Sequence, residues 1–559
     1  MTIKGECKGT VRLMEERLID GKAFADMLYG GAALLGEHQQ EINDLNVFPV
    51  PGGDTGTNMS KTIAGGLSEL AGEDEESVGE MANKFSRGVL LGARGNSGVI
   101  LSQIFAGIGE ELSACDKVGA MELANAYRNG IKKSYASVQN PTEGTILTVF
   151  REATEYAAEN ITPESTVADF YKLHIECARR SLEHTKEILP VLKEAGVVDS
   201  GAAGYLYIVM GMYEALTGEL VPSREIVASS EQRINIDLFT RDSRLEFGYC
   251  TEVLIRLTTD KVDPDSFEIE RVLSVLEELH GESVVAYKTG DVVKVHVHSF
   301  TPGMILSRLQ EFGEFLTVKI ENMSLGHSGE AEEEKPEEKK LFATLAVACG
   351  EGMSALFRDM GADGIIAGGQ TQNPSTEEFI SEFKKHNAEH IIVLPNNKNV
   401  YLAAKQAAEL YEDAEVHIIK TKSLMQGYGA LQVITPGISD MSVLVESIER
   451  AAAGVVGAEI TRAVRDVTIN GKHVAEGDYI AISEGDIAAV SESAEDAVMD
   501  MIATVDADDY EILTLFVGNG VDAERRCCLV ERIEEEYPDF EITVYEGGQE
   551  VYDYLLALE

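Results

Sequence analysis

NVFPVPGGDTGTNM, residues 46–59, sets the reading of the first third of the chain. Two glycines, an aspartate and Thr-Gly-Thr-Asn follow a rigid Pro-Val-Pro, and a helical pattern, NMSKTIAGGLSEL, begins inside the stretch. Glycines let backbone N–H groups approach a ligand closely. The first N–H groups of a helix have no partner within it and favour an anion. Gly53 and Gly56 supply the close approach, and Thr55, Thr57 and Asn58 offer hydroxyl and amide contacts. Asp54 is the hard oxygen donor that Mg2+ takes. Taken alone, the stretch is better read as a tight turn with Asp54 as a helix N-cap.

Three further stretches change that balance. Gly92-Ala93-Arg94-Gly95-Asn96-Ser97-Gly98 opens the helical VILSQIFAGIGEEL. PTEGTILTVFREA carries Glu143 and Thr145 ahead of a helix, and VVDSGAAGYLYIVMGM carries Asp199, Ser200 and Gly201. Four small-residue loops at helix starts exceed what capping requires. They predict helix N-termini that converge on one anion.

At 559 residues the chain is too long for one core, and two to four domains are expected. With 44% hydrophobic and 26% charged residues, each can bury a proper core. No run of apolar residues is long enough for a membrane span. The opening MTIKGECKGTVRLMEERLIDG lacks the apolar core of a secretory signal. The seven cysteines are scattered apart from Cys527-Cys528 and form no disulfide framework, so a cytoplasmic location is expected. The net charge of −49 argues against nonspecific nucleic-acid binding, which needs cationic surface. An acidic surface also repels anionic membranes, so an amphiphilic substrate would arrive on a carrier.

The periodicity predicts a multidomain protein. Residues 1–222 read as an all-α N-terminal domain, with apolar residues at three-to-four spacing. Residues 246–327 read as a small α/β middle domain, with strands at YCTEVLIRLTT, SVVAYKTG and DVVKVHVHSF. SGEAEEEKPEEKK, residues 328–340, is a charged linker. Residues 341–559 alternate apolar strands with helices, which predicts an α/β C-terminal domain with a parallel sheet. Ser375 and Glu378 form a capping box at one of its helices. In the middle domain His296 and His298 are two apart on a strand and share a face. With Cys250 they suit Zn2+, His327 being a weaker fourth donor. The alternative is two solvent-facing histidines and a buried cysteine. In the C-terminal domain Gln370, Thr371, Asn373, Asn396, Asn397 and Lys398 follow strands, where parallel sheets bind ligands, or else they are ordinary turn residues.

The first domain resembles the ATP-binding domain of the dihydroxyacetone kinase family. The whole chain resembles the ATP-binding component of bacterial fatty acid kinase. The matching stretches are LNVFPVPGGDTGTNM, LLGARGNSGVILSQI, PTEGTILTVFREA, LKEAGVVDSGAAG, KVHVHS, GGQTQNPSTEEF, LPNNKN and VYEGGQEVYDYLLALE, which run from end to end. The resemblance implies transfer of the ATP γ-phosphoryl group to a fatty acid carboxylate, giving an acyl phosphate that enters phospholipid synthesis. A separate DegV-like fatty-acid-binding carrier protein would present the fatty acid. It implies Mg2+ on Asp54, with Asp54 and Arg94 catalytic. ATP would lie among Gly53, Thr55, Gly56, Thr57, Asn58, Gly92, Gly95, Asn96, Ser97, Gly98, Thr145, Asp199, Ser200 and Gly201. It further implies a structural Zn2+ on Cys250, His296 and His298, a DegV-like C-terminal domain that docks the carrier or regulates, and a homodimer.

One departure stands out. The family loop carries a pair of aspartates, and this sequence has Gly52 where the first belongs. The loss puts metal occupancy and turnover in question, unless Asp44 or Glu143 compensates. Two rival readings follow: a kinase for a small polyol or ketone, and a non-catalytic nucleotide-binding regulator.

Overall fold

The computed structural model describes residues 17–46, 53–71, 77–221, most of 249–322, 339–369, 372–434 and 440–559 apart from 470. Gly52, His327, Gln370, Thr371 and most of the charged linker lie outside the described residues.

The described N-terminal segment is helical: α1 (Gly21–Glu37), α2 (Gln39–Asp44), α3 (Thr55–Leu70), α4 (Val78–Leu91), α5 (Gly95–Leu112), α6 (Ala120–Ser137), α7 (Ile146–Asn160), α8 (Val167–Ile188), α9 (Pro190–Ala195) and α10 (Ser200–Thr217). Local chemistry sets the boundaries. Thr166 and Asp169 form a reciprocal capping box at the start of α8. α9 opens on Pro190 and stops at Gly196, whose φ of 69° is left-handed. The core between the helices is aliphatic and aromatic, with Phe24, Phe85, Phe150, Phe170, Tyr171 and Tyr205 all buried. α1 and α10 cross at glycines: a Cβ on Gly211 would lie 2.2 Å from the Gly30 carbonyl oxygen.

The middle segment contains β1 (Tyr249–Leu257), α11 (Glu270–Glu278), β2 (Glu282–Thr289), β3 (Val292–Ser299), α12 (Pro302–Leu309) and β4 (Gly313–Asn322). The sheet order is β2-β3-β1-β4, and its pairs are antiparallel. Val253, Ile255, Val293, Val295 and Val297 bury one face with Val272, Leu276, Ile305 and Leu309 from the two helices.

The C-terminal segment opens as expected. β5 (Lys340–Ala348), α13 (Glu351–Asp359), β6 (Gly364–Ala367), α14 (Thr376–Phe383), β7 (Ala388–Leu394), α15 (Tyr401–Leu410) and β8 (Glu415–Ile418) alternate. The four strands are parallel in the order β6-β5-β7-β8. After α16 (Leu424–Gln432) and α17 (Met441–Gly454), the chain builds a second sheet of six strands. It is mostly antiparallel, and only 512–517 and 541–546 run parallel.

The described residues between 227 and 337 form one compact unit. The segments on either side, through 226 and from 338, form the other. Within that larger unit Ala93 and Val99 join the apolar cluster of Leu345, Val347, Phe379, Ile391 and Val400. Gln406, 5% exposed, donates to the Leu90 carbonyl at 2.7 Å and accepts from Gln103 at 2.9 Å. The helical segment and the C-terminal sheet thus share a packed interior. Among the described residues no helix is long and apolar enough to cross a membrane.

Gly211→Ala is expected to destabilise the chain by about 1–3 kcal/mol, because the new methyl must push α1 and α10 apart. Urea unfolding would read it, and an unchanged midpoint would contradict the crossing.

Candidate functional site

Each of the four small-residue stretches lies at a helix start. Asp54, Arg94, Thr145 and Asp199 hold the N-cap positions of α3, α5, α7 and α10. The Thr145 hydroxyl accepts from the Leu147 N–H, and the Asp199 carboxylate from the Ala202 N–H at 2.8 Å. These starts lie side by side. The Ser200 hydroxyl donates to Thr55 Oγ1 at 3.1 Å, and Thr55 donates to Asn46 Oδ1 at 2.8 Å. A Cβ on Gly201 would sit 3.4 Å from Ser97 Oγ and 3.6 Å from Ile146 Cβ. Gly95 has φ +59°, and a Cβ there would meet Asn58 Nδ2 at 2.6 Å. One on Gly98 would meet Thr62 Oγ1 at 2.4 Å. Gly92 packs against α3 in the same way, since its Cβ would lie 3.2 Å from Gly65 Cα. The structure therefore brings Thr55, Asn58, Gly95, Ser97, Gly98, Ser200 and Gly201 together.

One residue of this cluster was not legible in the sequence. Asn43 on α2 accepts from the N–H groups of Gly56 and Thr57 at 2.8 and 3.2 Å. It also donates to Thr57 Oγ1 at 3.1 Å. A Cβ on Gly53 or Gly56 would strike the carbonyl oxygen of Asn43 or Gln39 at 2.4 or 2.3 Å. Two of the N–H groups expected to face an anion are thus already capped, and these glycines make room for α2.

Asp54 is half-buried. Burial raises its carboxyl above the usual range, opposed by side-chain bonds from Asn58 and Asn373. The Asn373 side chain comes from the C-terminal segment and donates through Nδ2 to Asp54 Oδ2. Arg94 donates through Nη1 to the Asn373 carbonyl and to Glu378 Oε2, both at 2.8 Å. The Thr376 N–H meets the Ala93 carbonyl at 3.2 Å, and Asn96 meets Asn399 at 3.2 Å. So Asp54, Arg94 and Asn96 all touch the C-terminal segment. The expected Ser375–Glu378 capping box forms, and its glutamate also serves Arg94.

The carboxylates considered as replacements for the missing aspartate are held elsewhere. Asp44 accepts from Gln40 at 2.8 Å in an exposed position. Burial raises the Glu143 carboxyl, but hydrogen bonds from Arg151 and Thr148, at 2.7 and 2.6 Å, outweigh it and hold it low. Burial pushes Asp199 up to about 6 against the pull of the Ala202 and Ile146 N–H groups. Of the polar residues after the parallel strands, Asn396 has φ 53° and donates to the Val347 carbonyl at 2.9 Å. Asn397 accepts from the Asn399 N–H at 2.8 Å, and Lys398 donates to the Glu484 carbonyl at 2.8 Å. These bonds stay within the C-terminal segment, whereas Asn373 reaches out of it.

In the middle segment Cys250 pairs opposite His298, and His296 opposite Glu252. The side chains of Cys250, His296 and His298 lie outside the described atoms. Among the described residues one other group of metal-type side chains occurs. His390 Nδ1 lies 3.1 Å from His417 Nε2 and 3.5 Å from Glu415 Oε2, on β7 and β8.

Residues 49–214 match the DAK2 domain. Residues 246–330 match the middle domain of FakA-like fatty acid kinase proteins, and residues 343–559 match their C-terminal domain. Protein YloV of Bacillus subtilis is 36% identical over 98% of this chain and 100% of its own length. An uncharacterised protein of Staphylococcus haemolyticus is 36% identical over 97% of this chain and 99% of its own. Among solved structures, a fatty-acid-binding DegV family protein from Thermus thermophilus aligns with TM-score 0.29 and 12% identity, over 39% of this chain and 99% of that one. The dihydroxyacetone kinase from C. freundii, in complex with AMP-PNP and Mg2+, aligns with TM-score 0.28 and 16% identity, over 38% of this chain and 36% of that one.

Asp199 generates a pH prediction. Its native value of about 6 lies above the ordinary 3.8, so the unfolded carboxyl gives up its proton first. Stability from this group is complete below about pH 4 and is lost as pH rises through about 6. Asp199→Asn keeps the N-cap and removes that loss. Relative to the parent, the variant should gain at most about 2–3 kcal/mol between pH 4 and 7 in denaturant unfolding. A difference that does not change with pH would contradict the burial of this carboxyl.

Proposed function

The chain belongs to the FakA-like family of fatty acid kinase proteins, and from that premise we propose that it phosphorylates a fatty acid presented by a separate fatty-acid-binding carrier. The observation that carries this reading is the meeting of the starts of α3, α5, α7 and α10 beside Asp54. Helix N-termini aimed at one region favour bound phosphate.

A fatty acid carboxyl, with a pKa of about 4–5, is ionised at neutral pH, so no general base is needed. A carboxylate oxygen bonds to the γ-phosphorus while the bond from that phosphorus to the bridging oxygen breaks. ADP leaves with the electron pair, and the product is an acyl phosphate. The protein's task is to hold two anions together. Mg2+, when bound, supplies the counter-charge. Asp54 fits as its holder, because among the described residues the side chains bonded to its half-buried carboxylate are amides and not cations. Arg94 at the N-cap of α5 brings a guanidinium whose charge is shared with Glu378 at 2.8 Å, and Ser97, Gly98, Ser200 and Gly201 line the helix starts. A second reading, a nucleotide-binding regulator, draws on the engagement of Asp54 and Arg94 by the C-terminal segment.

We also assign a structural zinc to Cys250, His296 and His298. The strand register supports it: Cys250 pairs with His298, and His296 lies two residues along the same strand. A thiolate and two imidazoles suit Zn2+.

With ATP, Mg2+ and a lipid-loaded carrier, the chain is expected to form acyl phosphate, trapped as a hydroxamate, and to do so poorly with free fatty acid. Absence of product with both would overturn the kinase reading. Gly52→Asp restores the first aspartate of the family loop and should raise turnover about tenfold or more with nucleotide affinity nearly unchanged. Equal turnover would mean that Gly52 does not limit the reaction. Metal analysis should find zinc that is lost in a Cys250→Ala, His296→Ala, His298→Ala variant and kept in a His390→Ala, His417→Ala variant. The reverse pattern would move the metal to the C-terminal pair.

A further inference from the structure

Asn373 lies in the connection between β6 and α14 and is 3% exposed. One end of its amide donates to Asp54. The other end, Oδ1, is buried without a hydrogen-bond partner among the described residues. A buried oxygen left unpaired is costly, and a partner there relieves that cost. Its position is fixed from both sides: the Asn373 carbonyl accepts from Arg94 at 2.8 Å, and the Ser375–Glu378 capping box follows two residues on. Next to it stands a half-buried carboxylate whose side-chain partners among the described residues are the amides of Asn58 and Asn373. Carboxylate and amide oxygens are both hard donors of the kind Mg2+ takes. Nδ2 is the end that meets Asp54 without a cation, and half a turn of the amide exchanges oxygen and nitrogen, so the oxygen can face a cation held by Asp54.

We propose that Asn373 supplies, through its amide oxygen, the second protein oxygen to the divalent cation at Asp54, where Gly52 brings no side chain. The proposal rests on the kinase reading above. Asp44 and Glu143 are engaged elsewhere, whereas Asn373 already touches Asp54. The neutral amide restores a donor but not a charge, so the cation is held more weakly than by two carboxylates. The C-terminal segment thereby completes a metal site whose other half is in the helical segment.

The test uses the full chain with Mn2+ as probe and AMP-PNP as nucleotide, free Mn2+ being read by electron paramagnetic resonance. Asn373→Leu should weaken Mn2+ about tenfold or more, and Asn373→Asp should tighten it beyond the parent. In the Gly52→Asp background Asn373→Leu should cost little, because the added carboxylate takes over. Equal Mn2+ affinity in Asn373→Leu and parent, with affinity lost in Asp54→Asn, would overturn this proposal and leave the kinase reading standing. Unchanged affinity in Asp54→Asn would overturn the metal assignment of that reading itself. Should Asn373→Leu fail to fold, Asn373→Asp decides: Mn2+ affinity no higher than the parent's counts against the proposal.

Discussion

Between α3 and α5 there is no room for one more carbon. Cβ atoms on Gly95 and Gly98 would lie 2.6 and 2.4 Å from the side chains of Asn58 and Thr62. Thr62 Oγ1 also accepts from the Arg94 N–H at 3.2 Å, so the first turn of α5 is pinned to the flank of α3. The same closeness recurs where Ser200 meets Thr55. Because the helices touch at their starts, their first turns and small side chains gather in one region. Bulkier residues would have spread them apart.

The pinning also decides where Arg94 points. Its guanidinium leaves the helical segment and meets Asn373 and Glu378. The Arg94–Glu378 pair is partly open to water, 22% and 49% exposed, and such pairs contribute at most about 1 kcal/mol. Most of the cohesion comes from the packing of Ala93 and Val99 into the C-terminal cluster and from the buried Gln406 amide. The polar contacts at Asp54 and Arg94 set the register of the two segments more than their strength.

What the sequence could reveal follows the range of the forces involved. Helix starts are local: a small residue, a hydroxyl or carboxylate and an apolar period lie within a few positions, so the starts at Asp54, Arg94, Thr145 and Asp199 were readable. Parallel strands were readable from their apolar runs, since β5 and β7 are covered on both faces. β4 was not. Its register shifts against β1 at Leu254/Ile255, which breaks the alternation, and Leu316, Val318 and Ile320 stay partly exposed at the sheet edge. Asn43 escaped because it caps a helix other than its own, and no neighbouring residue signals that. The contact of Asn373 with Asp54 spans 319 residues, a separation at which periodicity and capping rules say nothing.

The middle unit interrupts a larger one. The chain leaves the helical segment after α10, builds the four-stranded β2-β3-β1-β4 sheet, and returns to finish the body it left. Covalent continuity through that excursion is therefore not what joins the two halves. The buried Gln406 amide, the Ala93 and Val99 contacts and the Asp54–Asn373 bond join them across the interior. A protease cut on either side of the excursion would leave a nicked protein whose pieces stay associated. The halves could equally be encoded as separate polypeptides and reassemble, with the intervening module exchanged or removed as a cassette.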